Sequence, residues 1–178
     1  MCCGTITAVD LSVRPVVRPA EPADVPALTA VYAHYVQHTV ATFHIDPPDE
    51  ADRRAWLADH AGGPYRVVVA ELAGSVVGYA SSSRFRPRRA YDTSVETSVY
   101  VQDGVVGRGV GSALYDGLFA ALAGQGLHRA YAAIALPNDA SVALHRRSGF
   151  VPVGTFGEVG HKFGRFIDVG WFQADLTG

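Results

Sequence analysis

The stretch that decides the fold is the glycine-rich turn Val106-Gly107-Arg108-Gly109-Val110-Gly111-Ser112. The β-branched and aromatic residues at 97–101, just before it, predict a buried strand. After the turn, apolar residues recur at helical spacing and predict one face of a helix: Val110, Ala113, Leu114, Leu118, Ala121 and Leu122. Glycines let the backbone approach a ligand closely, and free N–H groups at a helix start attract anions such as a pyrophosphate. The turn is therefore a candidate phosphate-binding loop.

Two common phosphate motifs do not fit this turn. No Lys-Ser or Lys-Thr pair follows the glycines, so the turn is not a P-loop. No acidic residue stands about 20 positions further on in a dinucleotide-type βαβ unit. An ordinary glycine-rich loop without a ligand is the remaining alternative.

The composition is that of a chain with its own hydrophobic core. Its 178 residues are 48% hydrophobic and 18% charged, and the net charge of −2 gives no case for nucleic acid or a membrane surface. No apolar run approaches the roughly 18–20 residues that span a bilayer, and no secretory signal is evident. The adjacent Cys2 and Cys3 form no disulfide framework. We expect a cytoplasmic protein with an N-terminal tail at residues 1–13 and one domain at residues 14–178.

Hydrophobic periodicity predicts strands and helices along the whole domain. The predicted strands cover residues 13–18, 65–71, 75–82, 94–101, 131–136, 150–159 and 166–176. The predicted helices cover residues 21–37, 50–60, 110–123 and 141–147. Ala73-Gly74 predicts a hairpin turn between the second and third strands. This order predicts an α/β (α+β) sheet flanked by helices, but these patterns do not give the strand order.

Four motifs in this order resemble those of the GNAT N-acetyltransferases. They are the strand Val95-Glu96-Thr97-Ser98-Val99-Tyr100-Val101, the glycine-rich turn, Leu136-Pro137-Asn138 and a helix that ends in Ser148-Gly149-Phe150. The segment Arg86-Pro87-Arg88-Arg89-Ala90-Tyr91 and residues 161–170 resemble the phosphinothricin and methionine sulfoximine acetyltransferase branch. The resemblance extends from about Val16 to Leu176. It implies the GNAT fold, with a mixed, mostly antiparallel sheet and two splayed central strands. It also implies acetyl-CoA as co-substrate, a homodimer and no metal.

Glu96 is the candidate general base. The ammonium group of an acceptor must lose a proton before attack, and burial raises the pKa of a carboxylate toward a useful range. Strand alternation places Glu96 with Ser94, Ser98 and Tyr100 on the more polar face. A solvated glutamate on an edge strand is the alternative. The resemblance favours the catalytic role, because family members carry their catalytic glutamate in this setting.

The resemblance also implies which residues hold acetyl-CoA. His145 stands where the wider superfamily has a tyrosine that protonates the leaving thiolate, and packing near CoA is its alternative role. Asn138 is expected to hold the pantetheine arm, to cap the next helix, or both. The predicted co-substrate site comprises Val99, Val101, Gly107, Arg108, Gly109, Val110, Gly111, Ser112, Asn138 and Ser141. Val106 replaces the family's Gln or Arg, and we expect Arg108 to compensate.

Cationic and aromatic residues are expected to select the acceptor. A planar guanidinium group holds a carboxylate or phosphinate with two hydrogen bonds, and Arg86 and Arg88 match the family's anion-binding arginines. The other predicted acceptor residues are Tyr91, Phe43, Tyr35 and Lys162, with surface exposure or core packing as the alternative. The implied acceptor is a small amino-acid-like molecule, such as phosphinothricin or methionine sulfoximine or sulfone. Transfer is expected to be direct, in a ternary complex.

Two other functions stay open on the sequence alone. The acceptor of an acetyltransferase could be another small amine, a polyamine or a protein N-terminus, although the arginines would repel a polycation. The chain could instead be a non-catalytic CoA-binding sensor. Val106 favours the sensor, whereas Glu96, Asn138 and His145 oppose it. Detoxification, self-protection and amino-acid housekeeping are equally compatible with these residues.

Overall fold

The computed structural model describes residues 14–177, which form a seven-stranded sheet with helices on both faces. The strands are β1 Val16–Pro19, β2 Val67–Leu72, β3 Ser75–Arg84, β4 Ser94–Val101, β5 Arg129–Leu136, β6 Val151–Lys162 and β7 Arg165–Asp175. The α-helices are α1 Val25–His38, α2 Glu50–Asp59, α3 Val110–Leu122 and α4 Asp139–Arg147, with 3₁₀ turns at Pro22–Asp24 and Arg89–Tyr91. The expected N-terminal tail, residues 1–13, lies outside the described residues.

The order of the strands in the sheet is β1-β2-β3-β4-β5-β7-β6. Only β4 and β5 pair in parallel, so the prediction of a mixed, mostly antiparallel sheet is confirmed. Their pairing is short and consists of Ser94 with Arg129, Val95 with Ala130, and Glu96 with Tyr131. Beyond Glu96 the two strands part, as the GNAT resemblance implies.

Two hydrophobic clusters lie on opposite faces of the sheet. Successive side chains of a strand point to opposite faces, and β2 shows this clearly. Val67 and Val69 pack with Tyr79 against α1 and α2, whereas Val68 and Ala70 belong to the cluster that includes α3. The sheet is therefore covered on both faces.

The predicted elements agree with the structure best where the local pattern is strong. The strand at Ser94–Val101 and the start of α3 at Val110 are confirmed, as is the hairpin turn at Ala73-Gly74. The predicted start of the first helix is wrong, because Pro22–Asp24 forms a separate 3₁₀ turn before α1. Asp24 there accepts two hydrogen bonds from Arg18, at 2.7 and 2.8 Å. No helix among residues 14–177 is long and apolar enough to cross a bilayer.

Candidate active site

A cavity opens where β4 and β5 part. It is lined by Ala41, Thr97, Ser98, Val99, Tyr100, Ala133, Ile134, Ala135, Asn138, Ser141 and His145. A groove of about 410 Å³ adjoins it and runs along the glycine-rich turn and α4. The two share Ala41, Val99, Asn138 and Ser141. An extended ligand can therefore reach from the turn to the point where the strands part.

The glycine-rich turn leads directly into α3. Gly107 and Gly109 have φ angles of 87° and 77°, in the left-handed region that glycine adopts without a steric penalty. Gly109 is the N-cap of α3, and its carbonyl accepts a hydrogen bond from the Ala113 amide at 2.9 Å. The first amides of a helix have no partner within the helix. Val110, Gly111 and Ser112 line the groove, so this helix end can bind an anion there.

Gly111 has a packing role that the sequence did not reveal. A Cβ atom at Gly111 would lie 2.7 Å from Cδ2 of Leu144, closer than side chains normally approach. The absence of a side chain lets α3 and α4 approach closely, and both helices border the groove. Gly111 therefore shapes the groove in addition to lining it.

Three side chains near the turn differ in how they relate to the groove. Val106 is 60% exposed and lines the groove, whereas Arg108 is exposed and is not among the lining residues. Compensation by Arg108 for Val106 stays a prediction. Tyr35 lines this groove and donates a hydrogen bond to the Val101 carbonyl at 2.7 Å. Tyr35 is thus on the co-substrate side of the site, not in the acceptor pocket that the sequence suggested.

Asn138 caps α4. Its Oδ1 accepts a hydrogen bond from the Ser141 amide at 3.1 Å, which confirms the predicted N-cap. Asn138 also borders both the cavity and the groove. Its contact with the pantetheine arm stays a prediction.

His145 is buried, and both of its ring nitrogens have protein partners. Nδ1 lies 2.8 Å from the Ser141 carbonyl, and Nε2 lies 2.7 Å from the Tyr115 hydroxyl. A carbonyl only accepts, so Nδ1 carries the proton and Nε2 accepts from Tyr115. Burial lowers the pKa of His145, which favours this neutral ring. To donate to a leaving thiolate, His145 would have to release one of these partners.

Tyr115 was missed by the sequence reasoning. It lies on the buried face of α3, and burial raises the pKa of its hydroxyl. A tyrosine on an apolar helix face usually has a hydrogen-bond partner when it is buried. That rule, applied to Tyr115 beside Leu114, was the available signal.

Glu96 is the last residue of β4 that pairs with β5, and its side chain is 33% exposed. Burial raises the pKa of Glu96, and the Arg86 guanidinium partly offsets this effect. Nη1 of Arg86 lies 3.9 Å from Oε2 of Glu96. The structure thus brings together the candidate base and one predicted anion-binding arginine.

An aromatic platform, formed by Phe85, Tyr131 and Trp171, supports Arg86. The rings of Phe85 and Tyr131 stack with centroids 4.3 Å apart. The Arg86 guanidinium lies 4.3 Å from the Phe85 ring and 5.4 Å from the Trp171 ring. These aromatic residues also escaped the sequence reasoning, because their proximity depends on the pairing of distant strands.

Arg88 and Tyr91 lie on the exposed segment between β3 and β4. Both side chains are exposed, and the Tyr91 ring meets the edge of Phe85 at 6.0 Å. The described contacts do not join either residue to Glu96. Their roles in acceptor binding stay predictions.

Lys162 is buried, and its ammonium group donates to the Thr42 carbonyl at 2.8 Å. Burial lowers its pKa. Phe43, the next residue, packs against Gly160 of β6. These contacts hold the loop between α1 and α2 against β6, and Ala41 of that loop lines both the cavity and the groove. Lys162 and Phe43 thus position the loop, and their contact with an acceptor stays a prediction.

The model of the acetyltransferase (GNAT) family matches residues 28–150. The chain belongs to the GNAT family. Its match covers most of the site described above, from α1 to the end of α4. The predicted family is therefore confirmed.

Similar GNAT proteins match most of this chain. A phosphinothricin N-acetyltransferase of Streptomyces coelicolor is 53% identical over 163 residues, which are 90% of this chain and 95% of that protein. An L-methionine sulfoximine/L-methionine sulfone acetyltransferase of Pseudomonas aeruginosa is 42% identical over 161 residues, 90% of this chain and 94% of that protein. The predicted branch of the family is thus also confirmed.

A solved GNAT structure confirms the fold. It is a phosphinothricin acetyltransferase of Sinorhizobium meliloti in complex with acetyl-CoA, with a TM-score of 0.86 and 35% identity. The match covers 90% of this chain and 88% of that one. The predicted GNAT sheet with splayed strands is therefore the fold of this chain.

Proposed function

We propose that this GNAT chain transfers the acetyl group of acetyl-CoA to the α-amine of a small amino acid. The proposed acceptors are phosphinothricin and methionine sulfoximine or sulfone. The observation that carries this proposal is the position of Glu96, which is half-buried where β4 and β5 part and has Arg86 at 3.9 Å. A base and an anion-binding group thus stand side by side at the cavity. The relatives from S. coelicolor and P. aeruginosa support the choice of acceptor.

The described residues fit acetyl-CoA. The groove begins at the amides of the turn and of the α3 N-terminus, which suit a pyrophosphate, and it continues to the cavity. Beyond Glu96, β4 does not pair with β5 and can offer backbone groups to the pantetheine arm. Bound there, acetyl-CoA would supply an activated thioester. Neither role depends on a metal ion.

Glu96 takes the proton from the acceptor ammonium group in this mechanism. Burial raises the pKa of Glu96, which makes its carboxylate a stronger base than an exposed glutamate. Arg86 and Arg88 would hold the acceptor's anionic group by charge-assisted hydrogen bonds. Proton transfer runs directly or through one water molecule. His145, which borders the cavity, is the proposed proton donor to the leaving thiolate.

The exposed edge of the sheet supports a homodimer. Strand β6 is an edge strand, and several of its large apolar side chains are exposed: Val151, Val153, Phe156 and Val159. An exposed apolar edge of this length favours pairing with another chain. We propose a second copy of this chain as its partner. Light scattering of the purified protein tests this assignment.

The remaining proposals concern organisation and role. We propose residues 14–178 as one domain, supported by a single sheet whose strands come from both ends of the described chain. The use of acetyl-CoA supports the cytoplasm as the working compartment. Detoxification of amino-acid analogues is the proposed role, supported by the acceptors of the relatives.

Thiol release from acetyl-CoA, measured with a panel of amines, tests the proposed function. The panel contains phosphinothricin, methionine sulfoximine, methionine sulfone, common amino acids and spermidine. We expect strong preference for the first three. Activity on spermidine alone would contradict the acceptor class but leave the acetyltransferase activity intact. No turnover with any amine, together with tight CoA binding, would favour the sensor.

A further inference from the structure

The ion pair between Arg86 and Glu96 bears directly on acceptor choice. We propose that these residues pair with each other in the free enzyme and are separated by a zwitterionic acceptor. The acceptor's anionic group then pairs with Arg86 while its ammonium group pairs with Glu96. This inference rests on the proposed function and adds a rule for selection among amines.

The geometry of the pair suits such an exchange. The N–O separation of 3.9 Å exceeds the 2.7–2.9 Å or so of a direct charge-assisted hydrogen bond. The side chains of Arg86 and Glu96 are 44% and 33% exposed, so a small ligand can reach both. The two groups are close enough to influence each other and loose enough to be separated.

The aromatic platform keeps Arg86 in place when its partner changes. Its guanidinium lies against Phe85 and Trp171, and its Nη1 donates to the Phe85 carbonyl at 2.7 Å. A guanidinium has five N–H donors, so several others can serve an incoming anion. Arg86 can therefore exchange Glu96 for an acceptor anion without leaving its position.

The groups that face Glu96 from neighbouring strands are uncharged. In the sheet, Glu96 pairs with Ser83 of β3 and with Tyr131 of β5. Among the described residues, Arg86 is the charged group that shifts the pKa of Glu96. Glu96 thus depends on Arg86 for a counter-ion until an acceptor arrives.

Charge balance then selects the acceptor. A zwitterion replaces one ion pair with two and leaves neither Arg86 nor Glu96 unpaired. An amine without an anionic group would separate Glu96 from Arg86 and leave the guanidinium without a partner, which is unfavourable in a partly buried site. Such amines should therefore be poor acceptors because of Arg86 itself.

The test compares matched acceptors with matched variants. The acceptors are phosphinothricin, methionine sulfone, and methionine sulfone amide, in which the carboxylate is replaced by an amide. The variants are Arg86→Gln, Arg86→Lys and, as a control on the same exposed segment, Arg89→Gln. Thiol release gives kcat/KM for each pair across a range of pH.

We expect Arg86→Gln to lower kcat/KM for the acids by about ten- to hundredfold, because a hydrogen bond to a charged group is lost. The value for the amide should stay the same or rise, since no guanidinium is left unpaired. The acid limb of kcat/KM should move to higher pH, because Glu96 loses the cation that lowers its pKa. Arg86→Lys should keep the acid limb near its original pH, and Arg89→Gln should match the unmodified enzyme.

The comparison of the two acids identifies the anion that Arg86 receives. A loss confined to phosphinothricin assigns Arg86 to the phosphinate, whereas equal losses assign it to the α-carboxylate. Equal losses for acids and amide, or an unmoved acid limb in Arg86→Gln, would overturn the inference.

A measurement without turnover separates this inference from the proposed function. The carboxyl carbons of ¹³C-labelled glutamate are titrated by NMR, and the Glu96 signal is assigned from its absence in Glu96→Gln. We expect Glu96 to titrate at higher pH in Arg86→Gln than in the unmodified chain, whatever the acceptor. An unchanged titration overturns the ion pair even if acids are acetylated. A changed titration with no thiol release from any amine overturns the proposed function and the acceptor exchange, but keeps the pair.

Discussion

The Tyr115 hydroxyl lies 2.7 Å from Nε2 of His145 and donates to it, because the other ring nitrogen donates to the Ser141 carbonyl. Tyr115 belongs to α3 and His145 to α4, the two helices that border the co-substrate groove. The bond therefore joins the helix that follows the glycine-rich turn to the helix capped by Asn138. The shape of the groove depends on this contact.

Tyr115→Phe should destabilise the protein. The substitution removes the donor and leaves Nε2 of His145 buried without a partner, which costs about 1–3 kcal/mol. The control is Tyr35→Phe, which removes a half-buried hydrogen bond to the Val101 carbonyl and should cost only about 0.5–1.5 kcal/mol. Urea unfolding of both variants measures the difference. A Tyr115→Phe variant as stable as the unmodified chain would disprove the assigned hydrogen bond.

Acidification should weaken the fold partly through His145. Burial lowers its folded-state pKa below the ordinary value of about 6.5, so the unfolded chain binds the proton more readily. The stabilisation is complete above that ordinary value and is lost as the pH falls through it toward the folded-state pKa.

The free energy of unfolding should therefore decline between about pH 7.5 and pH 5.5, on either side of the ordinary histidine pKa. The decline should be smaller in His145→Gln. Burial also lowers the pKa of His60, so the double variant His60→Gln, His145→Gln should decline least. A steeper decline in the variants would contradict the sign of both shifts.

Lys162→Met tests the loop-positioning role of Lys162. Its ammonium group holds the Thr42 carbonyl at 2.8 Å, so its loss should loosen the loop between α1 and α2. We expect KM to rise by a similar factor for phosphinothricin and for methionine sulfone, with little change in the KM of acetyl-CoA. Steady-state kinetics with both acceptors provides the measurement. A loss limited to phosphinothricin would show that Lys162 binds the phosphinate directly.

The sequence predicted the parts of the site that depend on local pattern. The strand that carries Glu96, the turn before α3 and the cap at Asn138 each follow from a few neighbouring residues. The burial of Lys162 could not be predicted, because its partner Thr42 is 120 residues away in the sequence. The same holds for Trp171 beside Arg86, since only the packing of the sheet brings them together.

The separation of the first helix into two parts has a similar cause. The predicted helix over residues 21–37 followed apolar spacing alone. In the structure, the carboxylate of Asp24 accepts hydrogen bonds from Arg18 and from the Glu21 amide. These contacts hold the 3₁₀ turn, and the long helix begins only at Val25.

Val106→Arg should tighten CoA binding. Val106 is exposed and lines the groove beside the glycine-rich turn, where a guanidinium could reach a phosphate. One added charge-assisted contact should lower the Kd of CoA by about three- to tenfold at low salt. Calorimetry with CoA and with pantetheine, which lacks the phosphates, gives the comparison. Equal tightening for both ligands would rule out a phosphate contact.

The most direct test of the account is the activity of Glu96→Gln with phosphinothricin. We expect kcat to fall by about a hundredfold or more at neutral pH, with partial recovery at alkaline pH where the acceptor amine loses its own proton. The Kd of CoA should be unchanged, and the exposed control Glu158→Gln should keep full activity. Unaltered turnover in Glu96→Gln at neutral pH, with intact CoA binding, would contradict the assignment of Glu96 as the base.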